Sequence, residues 1–562
     1  MTANKYISHI DYPEKTMYRM IADCAETYPN EPAYEFYSKE TTYREFRAKI
    51  DRAARAFAAA GIGEGDVVTI CLPNVPQALA AFYGLDKIGA VANMIHPLSA
   101  QNEISFYLNV SDSKKILTVD LFYEKVENAL KDVKHAVEIL VCRMQDELPV
   151  PLNALYVLKA GRAYLKYPNS DHAVLWTRFL KAGDRGPDPE EAAFRRDRTS
   201  VILYSGGTSG TPKGICLSDY NMNALALQCR ARIPYDFKPG LRMLSCMPIF
   251  HGFGLGVNIH TVLIHGVKSI LMPNFTTKSY ADMLIKKKPN FIAGVPTIYE
   301  ALLHMPQLDG KKLDFLMGMF CGGDSLSIEL KKKVDAFLQE HGASIQVQEG
   351  YGLTECVTAS CLTPHDDYRP GSIGIPYPDT SYAIVTPGTD DVLPAGTEGE
   401  IIISGPTVML GYLNNPEETA RTLRVLSDGR VWLYTGDLGH MDEDGFVYFR
   451  QRLKRMIITN GYNVYPSQLE NVIDSIPEVA YSCVIGVRDA RRGQRIQAYI
   501  VLRDGVEPSD ELRRKIHDEM KLHVALYALP KDYIFRKELP KTLVGKVSYR
   551  KLEEEANQAA GM

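Results

Sequence analysis

The ten cysteines of this chain are scattered, and none stands in a CxxC pair. That spacing gives no support to a disulfide framework, and a reduced, cytosolic compartment is the simplest reading. An excess of one charge is also missing. The formal net charge is −4, so no strong basic field invites nucleic acid. Met1 to Tyr12 has neither an apolar h-region nor an arginine-rich amphipathic pattern, so neither a signal nor a transit peptide is expected. One stretch lacks charge altogether: no Asp, Glu, Lys or Arg lies between Arg242 and Lys268. Its length would satisfy a membrane span of about 20 apolar residues. It also holds His251, His260, His265, Asn258 and several glycines, so a buried strand, a loop and a core helix are expected instead. Internal repeats and low-complexity tracts are absent as well.

What remains is ordinary globular material, 45% hydrophobic and 23% charged over 562 residues. At roughly 150 residues per domain the length suggests about four structural units. Strand-like and helix-like runs alternate from about Tyr43 to Val347. Val67-Val68-Thr69-Ile70-Cys71, Ile116 to Val119 and Val201 to Tyr204 read as buried strands, and Pro76 opens a helix through Leu85. The alternation argues for an α/β fold with largely parallel sheets. Gly183 to Glu190 reads as a loop. From Gly371 to Phe449 short β runs split by turns suggest a small β-rich subdomain. A second α/β unit starts near Lys454, with Ser482 to Val487 and Ala498 to Leu502 as strands.

The strongest local signal is Tyr204-Ser205-Gly206-Gly207-Thr208-Ser209-Gly210-Thr211-Pro212-Lys213-Gly214. It follows a strand, and Ser218 beyond it is placed to N-cap a helix through Arg230. Glycines allow close backbone approach to a ligand, and successive N–H groups, hydroxyls and one lysine make an anion cradle. A Walker loop needs Gly directly before the Lys, and Pro212 stands there.

This loop resembles the signature phosphate loop of the adenylate-forming superfamily: acyl-CoA synthetases, luciferases and the adenylation domains of peptide synthetases. Further motifs recur in family order from about Tyr43 to Leu552. The resemblance implies ATP binding by Ser205, Gly206, Gly207, Thr208, Ser209, Gly210, Thr211 and Lys213, with Gly322, Gly323 and Asp324 in the same set. Glu349-Gly350-Tyr351-Gly352-Leu353-Thr354-Glu355 resembles the second core motif. There Tyr351 packs on adenine between Gly350 and Gly352, Thr354 contacts the α-phosphate and Glu355 binds Mg²⁺. Tyr434-Thr435-Gly436-Asp437 resembles the motif whose aspartate accepts both ribose hydroxyls; an ionised carboxylate has the two acceptors a vicinal diol needs. Arg450 to Arg455 resembles the interdomain hinge, with Arg452 on ribose or phosphate and Lys454 at the hinge position; Gln451 stands where the family often has Gly or Asp. Gly461, in Asn460 to Pro466, matches the glycine that lines the thiol tunnel. Lys546, in Leu539 to Lys546, matches the lysine that acts during adenylation. The implied layout is a large N-terminal AMP-binding domain of two α/β subdomains over residues 1–450, with its β-rich part at about 371–450. A hinge at 451–455 follows, then a small mobile C-terminal α/β domain at 456–562. ATP, Mg²⁺ and coenzyme A are the implied substrates and activating ion.

Phe250-His251-Gly252-Phe253-Gly254 aligns with the family's aromatic motif beside the acyl site. Amino-acid activators carry an Asp just after the aromatic position; the charge-free stretch here would leave an ammonium unpaired at a cost. A carboxylic acid with an uncharged tail is expected, with a medium or long fatty acid ahead of an aryl acid. His251, Phe253, Val257, Val295 and Cys321 are the expected pocket wall, with Gly254 and Gly256 leaving room. His251 is a gate at the carboxylate end or a packed core histidine; both stay open. The thiol belongs to free coenzyme A or to a carrier protein's pantetheine, and no carrier domain occurs in the sequence. A non-enzymatic acyl or nucleotide sensor would need a broken site, and no expected polar group is missing. Finally, Pro151 to Pro168 alternates apolar residues with Lys159, Arg162 and Lys166. It reads as an edge helix packed on the first subdomain or as a basic amphipathic helix suited to weak peripheral membrane contact. The oligomeric state leaves no mark on the sequence.

Overall fold

The computed structural model describes residues 7–160, 172–205, 212–459, 462–489, 491–542 and 547–559. One sheet runs, in spatial order, through Gly411–Tyr412, Lys213–Ser218, Thr199–Ser205, Val91–Met94, Val67–Cys71, Lys115–Val119, Glu138–Cys142 and Ala173–Leu175. Its inner pairs are parallel, while Lys213–Ser218 pairs antiparallel with Thr199–Ser205 on one side and Gly411–Tyr412 on the other. A second sheet links Val347–Tyr351, Gly318–Cys321, Phe291–Gly294, Arg242–Ser245, Lys268–Leu271 and Pro32–Phe36 by parallel pairs. Parallel strands are covered on both faces, and so they read as near-continuous apolar runs. The covering is thorough: the helix Pro76–Lys87 is buried at all twelve positions, with Pro76 preorganising its first turn.

The charge-free stretch resolves into the strand Arg242–Ser245, a π-helix Phe253–His260 and the short helix Thr261–Ile264. Among the described residues no helix is long and apolar enough to cross a membrane.

Antiparallel strands Ser381–Val385, Gly399–Ser404, Val431–Met441, Leu423–Val425 and Val447–Arg452 form a third sheet around Ile384, Ile401, Ile403, Leu433 and Val447. The last sheet combines Tyr462–Val464, Ile457–Thr459, Gly493–Leu502, Val479–Asp489 and Asp532–Arg536. Helices Pro466–Asp474 and Asp510–His523 close over its own core of Ile457, Ile473, Val484, Ile500 and Ile516. The fold is α/β, with a large N-terminal and a smaller C-terminal domain, as expected.

Two local outcomes differ from the sequence pattern. Lys213–Ser218 is a strand that the pattern did not reveal, and it pairs antiparallel with Thr199–Ser205, so a strand rather than a helix follows the glycine-rich segment in sequence. Ser218 does cap the following helix Asp219–Arg232, accepting the Asn221 N–H at 3.2 Å. The helix Leu152–Ala160 rests Tyr156 on the first core, yet Leu152, Leu155 and Leu158 are 41%, 54% and 78% exposed. The rest of the expected helix, from residue 161, lies outside the described residues.

Candidate active site

Parallel α/β sheets offer their ligand crevice at the carboxyl ends of the strands. Thr199–Ser205 ends at the glycine-rich loop, Gly318–Cys321 ends at Gly322-Gly323-Asp324, and Val347–Tyr351 ends at the second core motif. The last two strands pair in parallel, with Cys321 beside Glu349. Gly322 and Gly350 therefore face each other closely; a Cβ on Gly322 would lie 3.1 Å from the Gly350 carbonyl oxygen. Burial pushes the Glu349 carboxyl up to about 8, and its Oε1 accepts the Leu326 N–H at 3.3 Å.

Tyr351 donates its hydroxyl to Asp437 Oδ2 at 2.6 Å. Asp437 is only 1% exposed and sits within the long strand Val431–Met441. Its own N–H donates to Thr435 Oγ1 at 3.0 Å, and Thr435 in turn donates to the Ile401 carbonyl at 2.6 Å. Asp437 pairs across the sheet with Arg452, whose Nε lies 3.4 Å from Oδ1. The Asp437 charge raises the Arg452 pKa from its ordinary value, and burial with that same charge raises Tyr351 well above its own. Sequence-distant motifs thus meet as one cluster built on a carboxylate.

Thr354 and Glu355 occupy a single 3-10 turn, Thr354–Cys356, directly after the Tyr351 strand. Glu355 Oε1 accepts a hydrogen bond from the Tyr412 hydroxyl at 2.9 Å and lies 3.5 Å from Ser205 Oγ. Lys213 pairs with Glu418, and its ammonium lies 4.8 Å from the centre of the Tyr412 ring. Tyr412 and Glu418 were not read from the sequence. Nothing in local spacing links them to the loop; only the pairing of Gly411–Tyr412 with Lys213–Ser218 brings them there. Among the described residues no cluster of His, Cys, Asp or Glu could hold a metal alone. Mg²⁺ commonly needs one or two carboxylates plus phosphate oxygens, so Glu355, beside the end of the strand Thr199–Ser205, fits that ion. Gly206 to Thr211 lie outside the described residues.

Immediately after Glu355 the backbone is strained. Val357 and Thr358 hold φ of 52° and 79°, values that β-branched residues rarely adopt and that cost on the order of 1–3 kcal/mol each. Thr358 presses between two motif glycines: a Cβ on Gly252 would stand 2.1 Å from its hydroxyl, and one on Gly352 would stand 2.3 Å from its carbonyl oxygen.

Beside this turn is a small cavity lined by Gly322, Gly323 and Gly350 together with Phe253, Val257, Cys321, Met243, Ile233, Phe237 and Cys229. Among the described residues no charged side chain lines it. Phe253, Val257 and Cys321 stand in its wall, while Val295 packs into the core of the second sheet and His251 stands outside the lining. His251 Nδ1 accepts the Phe253 N–H at 3.2 Å at the mouth of the π-helix. Gly254 and Gly256 do not leave room, contrary to expectation: a Cβ would meet the Pro248 carbonyl oxygen at 2.0 Å and Leu225 at 2.6 Å, respectively. The π-helix spends its glycines on close packing against neighbouring chain.

The turn Leu453–Arg455, which holds the expected hinge position Lys454, follows Arg452 directly. Arg455 pairs with Glu470 at 2.5 Å and lies over the Tyr549 ring at 5.0 Å. Lys541 and Val547 form a β-bridge, and the Ser548 N–H donates to the Pro540 carbonyl at 2.7 Å. Lys546 itself, and Gly461, lie outside the described residues.

Comparison with known proteins follows this geometry. Residues 21–413 match the family model described as AMP-binding enzyme, and residues 468–546 match that described as AMP-binding enzyme C-terminal domain. The chain is 34% identical over 559 residues to a protein of Bacillus subtilis (strain 168) named long-chain-fatty-acid–CoA ligase, covering 97% of this chain and 95% of that one. It superposes on the crystal structure of ATP-bound MatB from Rhodopseudomonas palustris with a TM-score of 0.81 at 25% identity, covering 97% of this chain and 100% of the other. The anthranilate CoA ligase AuaEII, in complex with anthranoyl-AMP, shares the fold with a TM-score of 0.83 at 23% identity over 98% of both chains.

Proposed function

The chain belongs to the AMP-binding enzymes of the adenylate-forming superfamily, and from that premise we propose that it is an AMP-forming acyl-CoA synthetase acting on a medium- or long-chain fatty acid. ATP activates the carboxylate to an acyl-adenylate with release of pyrophosphate, and the thiol of coenzyme A then displaces AMP. The observation that carries this reading is a cavity whose described lining joins the Gly322, Gly323 and Gly350 backbone to apolar side chains and includes no charged residue. A ligand pocket of this kind takes an apolar body and fixes it with a few polar groups at one end. The long-chain-fatty-acid–CoA ligase at 34% identity supports the same substrate.

Asp437, aligned by Tyr351 and Arg452, receives the ribose hydroxyls. Thr354 and the loop Ser205 to Lys213 hold the phosphates, and Lys546 acts at the carboxylate as pyrophosphate departs. Glu355 would hold Mg²⁺, which supplies charge neutralisation on the phosphates. Preorganised donors at such a centre are commonly worth on the order of 10²–10³ in rate each. Lys454 and its neighbours form the hinge about which the residues after 455 turn between the two half-reactions, and the Gly461 segment guides the thiol.

A panel of acids assayed for coenzyme A-dependent AMP release tests this function. A saturated C8–C16 acid should exceed acetate, benzoate and amino acids by roughly tenfold or more, since each buried methylene is worth about 0.8 kcal/mol. Acetate as best substrate sinks the acid assignment; turnover with carrier-protein pantetheine alone sinks the coenzyme A assignment.

One observation extends the reading to the surface from which a fatty acid is drawn. Leu152, Leu155 and Leu158 stand exposed on one helix, and from Leu148 to Ser170 the sequence has Lys159, Arg162 and Lys166 but no acid. Apolar side chains among cations suit an anionic lipid surface. Flotation with anionic liposomes at low salt should carry the protein, and Leu155→Ser with Leu158→Ser should release it; no flotation of the parent retires this contact.

A further inference from the structure

Tyr412 touches both groups that the proposed function assigns to the charged end of ATP. Its hydroxyl donates to Glu355 Oε1 at 2.9 Å, and its ring supports the Lys213 ammonium 4.8 Å from the ring centre. The residue is 9% exposed, so these contacts form with little competition from water. Its backbone is held with equal care. Gly411–Tyr412 pairs antiparallel with the strand that begins at Lys213, Tyr412 beside Ile215. The Tyr412 N–H donates to Thr419 Oγ1 at 2.9 Å, and Thr419 donates to the Asn415 carbonyl at 2.8 Å. That places the helix Pro416–Thr422 so that Glu418 reaches Lys213. A tyrosine needed only for packing would satisfy its hydroxyl on any nearby acceptor; this one addresses the Glu355 carboxylate, which also lies 3.5 Å from Ser205 Oγ.

We propose that Tyr412 is a positioning residue for the ATP–Mg²⁺ half of the reaction, setting the Glu355 carboxylate through its hydroxyl and the Lys213 ammonium through its ring. This rests on the assignment of Glu355 and Lys213 to the nucleotide. One rigid side chain then fixes the spacing between the anionic metal-binding group and the cationic phosphate-binding group. Glu418 holds Lys213 on that ring when no phosphate competes for it. A hydrogen bond to a charged group is among the stronger single interactions in a protein, and a ring beneath an ammonium adds a smaller one.

The test is equilibrium binding of nucleotide to the full-length protein, without carboxylic acid, as a function of Mg²⁺. Tyr412→Phe keeps the ring and removes the hydroxyl. The Mg²⁺ concentration at which ATP binding is half-maximal should rise by on the order of tenfold. AMP affinity, which needs no metal, should change less than about twofold, and the thermal midpoint should stay near that of the parent. Tyr412→Leu should reproduce this and further weaken ATP at saturating Mg²⁺, because Lys213 loses its platform. Glu355→Gln is the control for the underlying function. If Glu355→Gln leaves Mg²⁺-dependent ATP binding intact, the nucleotide assignment fails. If Glu355→Gln abolishes it while Tyr412→Phe is silent, or if Tyr412→Phe weakens AMP and ATP equally, the positioning role of Tyr412 is overturned.

Discussion

Asp437 is held from two sides, by the Tyr351 hydroxyl at 2.6 Å on Oδ2 and by Arg452 Nε at 3.4 Å on Oδ1. Tyr351 ends one of the parallel strands, whereas Arg452 ends a strand of the antiparallel sheet just before the turn Leu453–Arg455. The carboxylate therefore ties the strand that ends at Tyr351 to the residue that precedes the turn Leu453–Arg455, the proposed hinge. Its orientation is fixed by these two contacts, which would lower the ordering cost of binding the ribose proposed for it.

Asp437→Asn keeps the shape and an acceptor for Tyr351 but removes the charge opposite Arg452. ATP affinity should fall by roughly tenfold or more, in line with lost charged hydrogen bonds. Binding of 2′,3′-dideoxy-ATP, which offers no diol, should change far less. Equal losses for the two nucleotides would remove Asp437 from the ribose.

Gly254→Ala tests whether the glycines of the π-helix are packing or space. The added Cβ would stand 2.0 Å from the Pro248 carbonyl oxygen, so backbone must shift. Overpacking of this kind typically costs about 1–3 kcal/mol, visible in denaturant unfolding. An unchanged midpoint together with a shortened acyl preference would restore the roomy-pocket reading.

Glu349 gives a pH signature. Burial raises its folded pKa to about 8, above the ordinary glutamate value of about 4.3. The folded state thus binds more protons than the unfolded state between those values, and this group's contribution falls as pH rises through that window. Glu349→Gln cannot ionise. Its thermal midpoint relative to the parent should therefore improve from pH 5 to pH 9. A difference that stays flat across this range would mean that the carboxyl is ionised throughout.

The two half-reactions should separate by variant. Lys546→Ala should depress acyl-adenylate formation roughly 10²-fold or more, on the scale of lost electrostatic stabilisation, while preformed acyl-adenylate still yields thioester. Gly461→Leu should do the reverse, because a side chain at the glycine proposed to line the thiol path would obstruct the pantetheine arm. Single-turnover kinetics of each step, on folded variants, reads both. Equal damage to both steps by both variants would contradict alternating domain orientations or misassign these two residues.

The sequence by itself determined the α/β class, the order of motifs and the identity of most proposed nucleotide residues. These depend on local chemistry. A buried parallel strand must be apolar, a phosphate cradle needs glycines and hydroxyls in succession, and a diol acceptor must be a carboxylate. Ser218 as a helix cap and the strand ahead of the glycine loop were legible for the same reason. Tertiary structure alone decided what depends on distance in space. Tyr412 and Glu418 stand about 200 residues beyond Lys213 and reach it only through an antiparallel edge pairing. Val295 has the size and polarity of a pocket residue, but it caps the start of the helix Pro296–Leu302 and packs into the core of the second sheet. Gly254 and Gly256 look identical to space-making glycines in one dimension, since a missing side chain does not record whether a ligand or the protein's own backbone occupies the place. The π-helix brings Pro248 and Leu225 into those places, so the room they vacate is filled by the protein itself.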